Sequence, residues 1–287
     1  MSFHRKASLL KMSAAVLSLT LLAFDAGAKM MPEPRLRSSS VLIIDPNDSS
    51  VLYSRHADAP MPIASITKLM TSLVVLEAKQ PLDQPLSITN AERDYPKGGF
   101  SRLAVGTVLT RGDLMHLALM SSENRAAHAL GNNYPGGMTA LVAAMNAKAG
   151  ALGMTSAHFV DATGLSSENV ASPADLAKLV VAASRSATIR NYSTDRSYSV
   201  KVHRHLVEFR NTDNLVANPS WNIIVQKTGY IAEAGRCLVM DAVIDRRPVV
   251  IVLLDSFGKY TRVADAQRVK LWMEAATAHQ RLSASMR

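Results

Sequence analysis

Apolar residues along this chain change their spacing several times, and each change marks an element. Ser40 to Asp45 reads as a strand, Pro46-Asn47-Asp48 as a turn, and Val51-Leu52-Tyr53-Ser54 as the returning arm of a hairpin. From Ile66 the spacing becomes helical. Leu69, Met70, Leu73, Val74, Val75 and Leu76 occupy nearly every side before Glu77, as in a helix buried within a protein. Residues 81–106 are loop-rich, with Pro85, Pro96, Gly98 and Gly99, and such loops often line a site. Asp113 to Met120 reads as a helix, and Arg125 to Leu130 as another after an interruption. Gly137 to Ala151 is amphipathic, with Leu141, Val142, Met145 and Ala149 on one stripe. Ser172-Pro173 starts a further helix, serine at the cap and proline at the first position, running to about Ala183.

Near Asn191 the pattern changes. Ser197 to Phe209 alternates as strands do, and Trp221–Lys227, Arg236–Asp245 and Pro248–Asp255 follow as an antiparallel meander. Val249 to Leu254 is apolar on both faces, which predicts a central strand covered on both sides. A last helix is expected from about Thr261 to Ala278, burying Val263, Ala266, Val269, Met273 and Ala276. The layout predicts a mixed α+β fold. An antiparallel sheet lobe from about 36–77 and 191–287 would carry an inserted, mainly helical lobe at about 78–190.

The first residues change that picture only at the edge. Arg5, Lys6 and Lys11 precede an apolar run from Met12 to Phe24 and then Ala26-Gly27-Ala28, the pattern of a cleaved secretory signal over residues 1–28. The run is shorter than the ~20 residues needed to span a bilayer, so no membrane anchor is expected after cleavage. Export implies an oxidising compartment, yet Cys237 is the only cysteine, so no internal disulfide can form. Its neighbours Leu238, Val239 and Met240 point to core packing on a strand rather than to a catalytic thiol. The 287-residue chain has a net charge of +9, of which residues 1–28 supply +2. That balance favours an anionic partner or simply a solvated basic face. No nucleic-acid-binding motif accompanies it.

Candidate chemistry begins at Ser65 and Lys68, three apart at the start of the apolar helix and therefore on one face. A dehydrated ammonium loses pKa, and a neutral amine beside a hydroxyl can make serine a nucleophile. The helix N-terminus adds N–H groups suited to developing negative charge. Alone the spacing is weak. Roughly one S-x-x-K is expected by chance in such a chain, and Ser8–Lys11 and Ser256–Lys259 match too. Each match also fits a helix cap with a solvated lysine. Two further motifs could serve Ser65. Ser122-Glu123-Asn124 interrupts the helices, although Ser167–Asn169 and Ser220–Asn222 share its spacing. Lys227-Thr228-Gly229, unique in the chain, is expected to end the strand Trp221–Gln226. Its glycine would let the strand edge lie against a peptide substrate. The bland alternatives are a helix cap for Ser122 and Asn124 and an ordinary edge-strand lysine for Lys227.

S-x-x-K, S-x-N and K-T-G in this order resemble the motif set of penicillin-binding proteins and related β-lactamases. The likeness extends to Ala64–Thr71, Ser122–Ala127, Asn146–Ala149 with Leu152-Gly153-Met154, Asp161-Ala162-Thr163-Gly164-Leu165 and Lys227–Tyr230, over roughly residues 36 to 275. It is greatest to the low-molecular-weight, D-alanyl-D-alanine endopeptidase type represented by penicillin-binding protein 7. The resemblance implies a β-lactamase/transpeptidase-like fold and a periplasmic serine D,D-endopeptidase. Such an enzyme cuts D-Ala–diaminopimelate cross-links in peptidoglycan and is acylated by β-lactams. It implies Ser65 as nucleophile, Lys68 as base and Ser122 as proton relay. Asn124 would bind the substrate backbone, Lys227 and Thr228 its carboxylate, and the N–H groups of Ser65 and Tyr230 the oxyanion. Lys227 would also help keep Lys68 uncharged. Asp161, Thr163 and Gly164 would shape a loop beside the site. No metal or organic cofactor is implied. Relatives that act as carboxypeptidases usually add a β-rich domain and an amphipathic anchor after the last helix, which favours the endopeptidase here. A D,D-carboxypeptidase trimming terminal D-Ala and a low-turnover penicillin-binding sensor remain alternatives. A β-lactamase is disfavoured because Glu168 lacks the pattern around the deacylating glutamate of class A enzymes. His203 and His205, expected on one strand face with Arg204 between them, read as surface strand rather than metal ligands.

Overall fold

The computed structural model describes residues 33–93 and 101–285, which belong to one structural unit. The signal-like residues 1–28, the Ser8–Lys11 match, and Pro96, Gly98 and Gly99 lie outside the described residues.

The first hairpin forms as its alternation requires, β1 (Ser38–Ile44) pairing antiparallel with β2 (Val51–Arg55). β1 starts two residues earlier than the apolar run because Ser38 is held by a buried carboxylate. Asp265 Oδ2 accepts from Ser38 N at 2.7 Å and from Ser38 Oγ at 2.7 Å. A two-residue strand, β3 (Met61–Pro62), leads into a 3-10 turn (Ala64–Ile66) and α1 (Thr67–Glu77). In the loop-rich region β4 (Pro85–Ser87) pairs with β5 (Val108–Thr110), and Asn90–Arg93 forms the single turn α2. α3 (Arg111–Met120) begins two residues before Asp113. Thr110 is its cap, and Thr110 and Asp113 bond each other's backbone N–H groups as a capping box. α4 (Asn124–Asn132) and α5 (Gly137–Ala151) follow, the latter burying Leu141, Met145 and Ala149. β6 (Val170–Ala171) pairs with β3 and leads into α6 (Pro173–Ser184), whose cap Ser172 accepts from Asp175 N at 3.1 Å.

The next element, α7 (Ala187–Thr194), is absent from the sequence expectation. Its residues Thr188, Asn191, Ser193 and Thr194 are poor helix formers, and it forms because Ser186 caps it and Ile189 enters the core. β7 (Ser197–Val202) and β8 (His205–Arg210) make a hairpin that, among the described residues, pairs only with itself. It is anchored to α3 by aromatic stacking, with His116 between Tyr192 and Tyr198 at centroid distances of 4.4 and 4.0 Å. His203 and Arg204 form its turn, so His203 and His205 flank a bend instead of sharing one strand face.

β9 (Asn222–Ile231), β10 (Gly235–Ile244) and β11 (Arg247–Ser256) complete a five-stranded antiparallel sheet in the order β2-β1-β11-β10-β9. β11 is central, and its period of two sorts its side chains between two cores. Val250, Val252 and Leu254 join the larger cluster with α1 and α3–α7. Val249, Ile251 and Leu253 face α8 (Thr261–Ser285), meeting Ala266, Val269 and Met273. Burying each such aliphatic side chain contributes about 1.5–3 kcal/mol. Cys237 lies fully buried in β10, and burial pushes its thiol up to about 11. Among the described residues no helix is long and apolar enough to cross a membrane.

Candidate active site

β9 forms one edge of the sheet, and against that edge sits the 3-10 turn carrying Ser65. Two glycines make the fit possible. A Cβ on Gly229 would lie 2.9 Å from Ile63 O and 3.1 Å from Ser65 N, so this glycine admits the nucleophile's own turn against β9. Close approach to this turn is a reason for glycine beyond the substrate contact expected from its motif. Behind the turn, Gly164 has φ +78°, and a Cβ there would sit 1.9 Å from Ala64 O. Ala64 itself takes φ +49°, and Thr67 Oγ1 ties the turn by donating to Ala64 O at 2.8 Å. K-T-G also does not end its strand. β9 continues through Ile231, because Gly229 pairs with Cys237 and Tyr230 with Arg236.

Lys68, on the first turn of α1, is wholly buried. Its Nζ lies 2.7 Å from Ser65 Oγ, 2.8 Å from Asn124 Oδ1 and 2.7 Å from Thr163 O. Burial lowers its pKa from 10.5 to about 7, against the opposing pull of Asp161 and Glu123. Dehydration is thus the chief cause. Lys227, the second buried amine, is driven well below 10.5 by its own burial first, then by Lys68 and Arg262, with Asp213 opposing; the repulsion between the two amines acts on both.

Asn124 reaches Lys68 because of how α3 gives way to α4. α3 ends at Met120, and Ser122 takes φ +60°, a left-handed conformation that costs a non-glycine residue of order 1 kcal/mol or more. The reversal leaves Glu123 to cap α4, accepting from Arg125 N at 3.2 Å, and makes Asn124 its first residue. The helix-cap reading of this motif therefore belongs to Glu123, while Asn124 faces the amine. Asp161 fixes the loop behind Lys68. Its Oδ1 accepts from Thr163 N at 2.6 Å and Gly164 N at 2.7 Å, and its Oδ2 from Ser166 N at 3.0 Å and Asn169 Nδ2 at 3.0 Å. Burial works to raise this carboxyl, but the N–H donors of Gly164, Ser166 and Thr163 hold it below the ordinary value.

On β9, Lys227 Nζ donates to Thr228 O at 2.8 Å, and Thr228 Oγ1 lies 2.6 Å from Thr212 Oγ1. Arg262 Nη1 donates to Gly229 O at 3.0 Å, and Tyr230 is exposed. The structure therefore joins Ser65, Lys68 and Asn124 directly and sets Gly229 on the Ser65 turn. Ser122 adjoins through Asn124, and Thr228 turns toward Thr212. The carbonyl of Thr163, Thr212 and Arg262 were not foreseen as part of the site. Backbone acceptors leave no mark on composition, and Arg262 comes from α8, beyond the whole meander. Asn169 serves the Asp161 loop, Ser256 Oγ lies 2.6 Å from Ser38 Oγ, and Glu168 is exposed.

A family model described as D-alanyl-D-alanine carboxypeptidase, peptidase S11, matches residues 27–258. A Pseudomonas aeruginosa protein named D-alanyl-D-alanine endopeptidase is 49% identical over 251 residues, covering 87% of this chain and 80% of that one. An Escherichia coli protein of the same name is 44% identical over 269 residues, covering 93% and 87%. The crystal structure of a Streptomyces DD-transpeptidase superposes with a TM-score of 0.79 at 27% identity, covering 85% of this chain and 99% of that one.

Proposed function

We propose the reaction from one premise: the chain belongs to the D-alanyl-D-alanine carboxypeptidase family, peptidase S11, and is a serine peptidase. The specific reading is a periplasmic D,D-endopeptidase that hydrolyses D-Ala–diaminopimelate cross-links of peptidoglycan and is covalently inhibited by β-lactams. The names of the two relatives in Pseudomonas and Escherichia support it.

One observation carries the chemistry: the set of partners around Lys68 Nζ. Asn124 Oδ1 and Thr163 O can only accept hydrogen bonds. They take both protons of a neutral amine, which turns its lone pair to the Ser65 hydroxyl 2.7 Å away. Ser65 Oγ then attacks the D-Ala carbonyl while its proton passes to Lys68. The carbonyl oxygen, now negative, is held by the backbone N–H groups of Ser65 and Tyr230. Losing one such donor typically costs ~10²–10³ in rate. As the C–N bond breaks, the proton returns through Ser122 to the leaving amine. Lys227 and Thr228 hold the carboxylate of the leaving residue. Water then attacks the ester, giving its proton to Lys68, and frees Ser65.

The test incubates the protein and a Ser65→Ala variant with cross-linked dimeric muropeptides, pentapeptide monomers and labelled penicillin. Wild type is expected to cut dimers and to hold penicillin, releasing it slowly, and the variant to do neither. Release of D-Ala from monomers alone would make the enzyme a carboxypeptidase, the activity in the family's description. Penicillin labelling without peptide cleavage would make it a sensor. Labelling of the Ser65→Ala variant would overturn the mechanism.

A further inference from the structure

Beside the reactive cleft lies a polar cavity of about 490 Å³ lined by Arg102, Ser121, Glu123, Glu208, Phe209 and Arg210. Ser121 and Glu123 flank Ser122 in the chain, and the rest of the lining comes from β8 and the segment before β5. Thr212, two residues past Arg210, ties this side of the cavity to the cleft. Its N–H donates to Met120 O at 3.1 Å, and its Oγ1 lies 2.6 Å from that of Thr228. The cavity therefore adjoins the Ser122–Thr228 end of the cleft. In the reaction proposed above, on which this inference rests, that end receives the leaving amine and the carboxylate beside it.

The charges in the cavity are unevenly compensated. Arg210 is paired with Glu208 at 3.1 Å, and Glu123 accepts from Arg125 N. Arg102 stacks its guanidinium 4.1 Å from the Phe209 ring centroid and donates to Glu208 O at 2.6 Å. Among the described residues no carboxylate side chain pairs with it. A guanidinium held over a ring in the wall of a polar cavity is suited to a carboxylate in two-point contact.

We propose that this cavity is the subsite for the acceptor stem peptide, with Arg102 as its specificity-determining residue, pairing with a free carboxylate of that stem. When the leaving group is a single D-Ala, it ends at its own carboxylate and does not enter the cavity. When the leaving group is a cross-linked diaminopimelate, the chain continues past the leaving amine. It carries the free carboxylates of the stem's glutamate and terminal alanine. The cavity thus separates cross-link cleavage from terminal trimming, although both use the same Ser65 chemistry.

The test compares wild type, Arg102→Ala and Arg210→Ala on three reactions: dimer cleavage, D-Ala release from pentapeptide, and penicillin acylation of Ser65. Arg102→Ala is expected to lose at least tenfold in kcat/KM for the dimer while the other two rates stay within twofold. Arg210→Ala, already neutralised by Glu208, is expected to lose less. A substrate-side arm needs no variant: wild type is offered a dimer amidated only at the acceptor's glutamate and terminal-alanine carboxylates, the diaminopimelate carboxylate beside the cross-link left free, and is expected to cut it at least tenfold more slowly than the parent dimer. Cleavage of the amidated dimer at the parental rate overturns the proposal even if Arg102→Ala fails to fold. So does an equal loss on dimer and pentapeptide by an Arg102→Ala protein that still binds penicillin normally. Failure of the catalytic reading looks different, since wild type would then cut neither substrate.

Discussion

If Lys68 is the base, the protein's reactivity is set by one dehydration. An ordinary lysine titrates at 10.5, and this one at about 7. At pH 7 about half the molecules would hold Lys68 neutral, against about one in 3,000 without the shift, a difference of about 5 kcal/mol. The assay is the second-order rate constant for acylation of Ser65 by a labelled penicillin, followed from pH 5 to 9. The rate is expected to rise with pH, bend near 7, and fall about tenfold per pH unit on the acid side. Glu123 opposes the shift, so Glu123→Gln should move the bend to lower pH while the amide keeps the cap on Arg125 N. The same shift bears on folding. Between about 7 and 10.5 the folded chain binds fewer protons at Lys68 than the unfolded chain, so this residue's destabilisation is complete below about 7 and fades as pH rises. A flat acylation profile, a bend above pH 9, or a bend displaced upward by Glu123→Gln would refute the reasoning.

Other consequences follow from the packing. Gly229→Ala places a methyl 2.9 Å from Ile63 O and 3.1 Å from Ser65 N. It should destabilise by about 1–3 kcal/mol and slow acylation by about 10²-fold or more through the displaced oxyanion donor, as read by thermal melts and penicillin labelling. Ser122→Ala and Ser122→Gly should both lose peptidase activity, but glycine relieves the φ of +60°. Chemical denaturation should therefore find the glycine variant about 1 kcal/mol more stable than the alanine variant. Cys237, buried with its thiol pushed up to about 11, should resist a thiol-specific reagent in the native protein and react at once in denaturant. Native-state labelling with loss of activity would contradict that burial.

Much of the architecture is written locally. Alternation and turn residues determine the first hairpin and the meander, and the all-round apolar run after Ile66 determines a buried helix. Ser172-Pro173 announces α6 by capping chemistry alone. The three polar motifs likewise depend only on residue type and order. What the chain could not decide by itself is how its distant segments meet. The length of β9 beyond Gly229 is fixed by pairing with β10, and α7 exists through burial of Ile189 rather than through helix propensity. The self-contained β7–β8 hairpin depends on packing against α3. Above all, the partners of Lys68 come from the 3-10 turn that carries Ser65, from α4 and from the loop held by Asp161. Dehydration and the direction of a lone pair are properties of that enclosure. No local pattern contains them, because the groups that exclude water from Nζ lie 56 and 95 residues away along the chain.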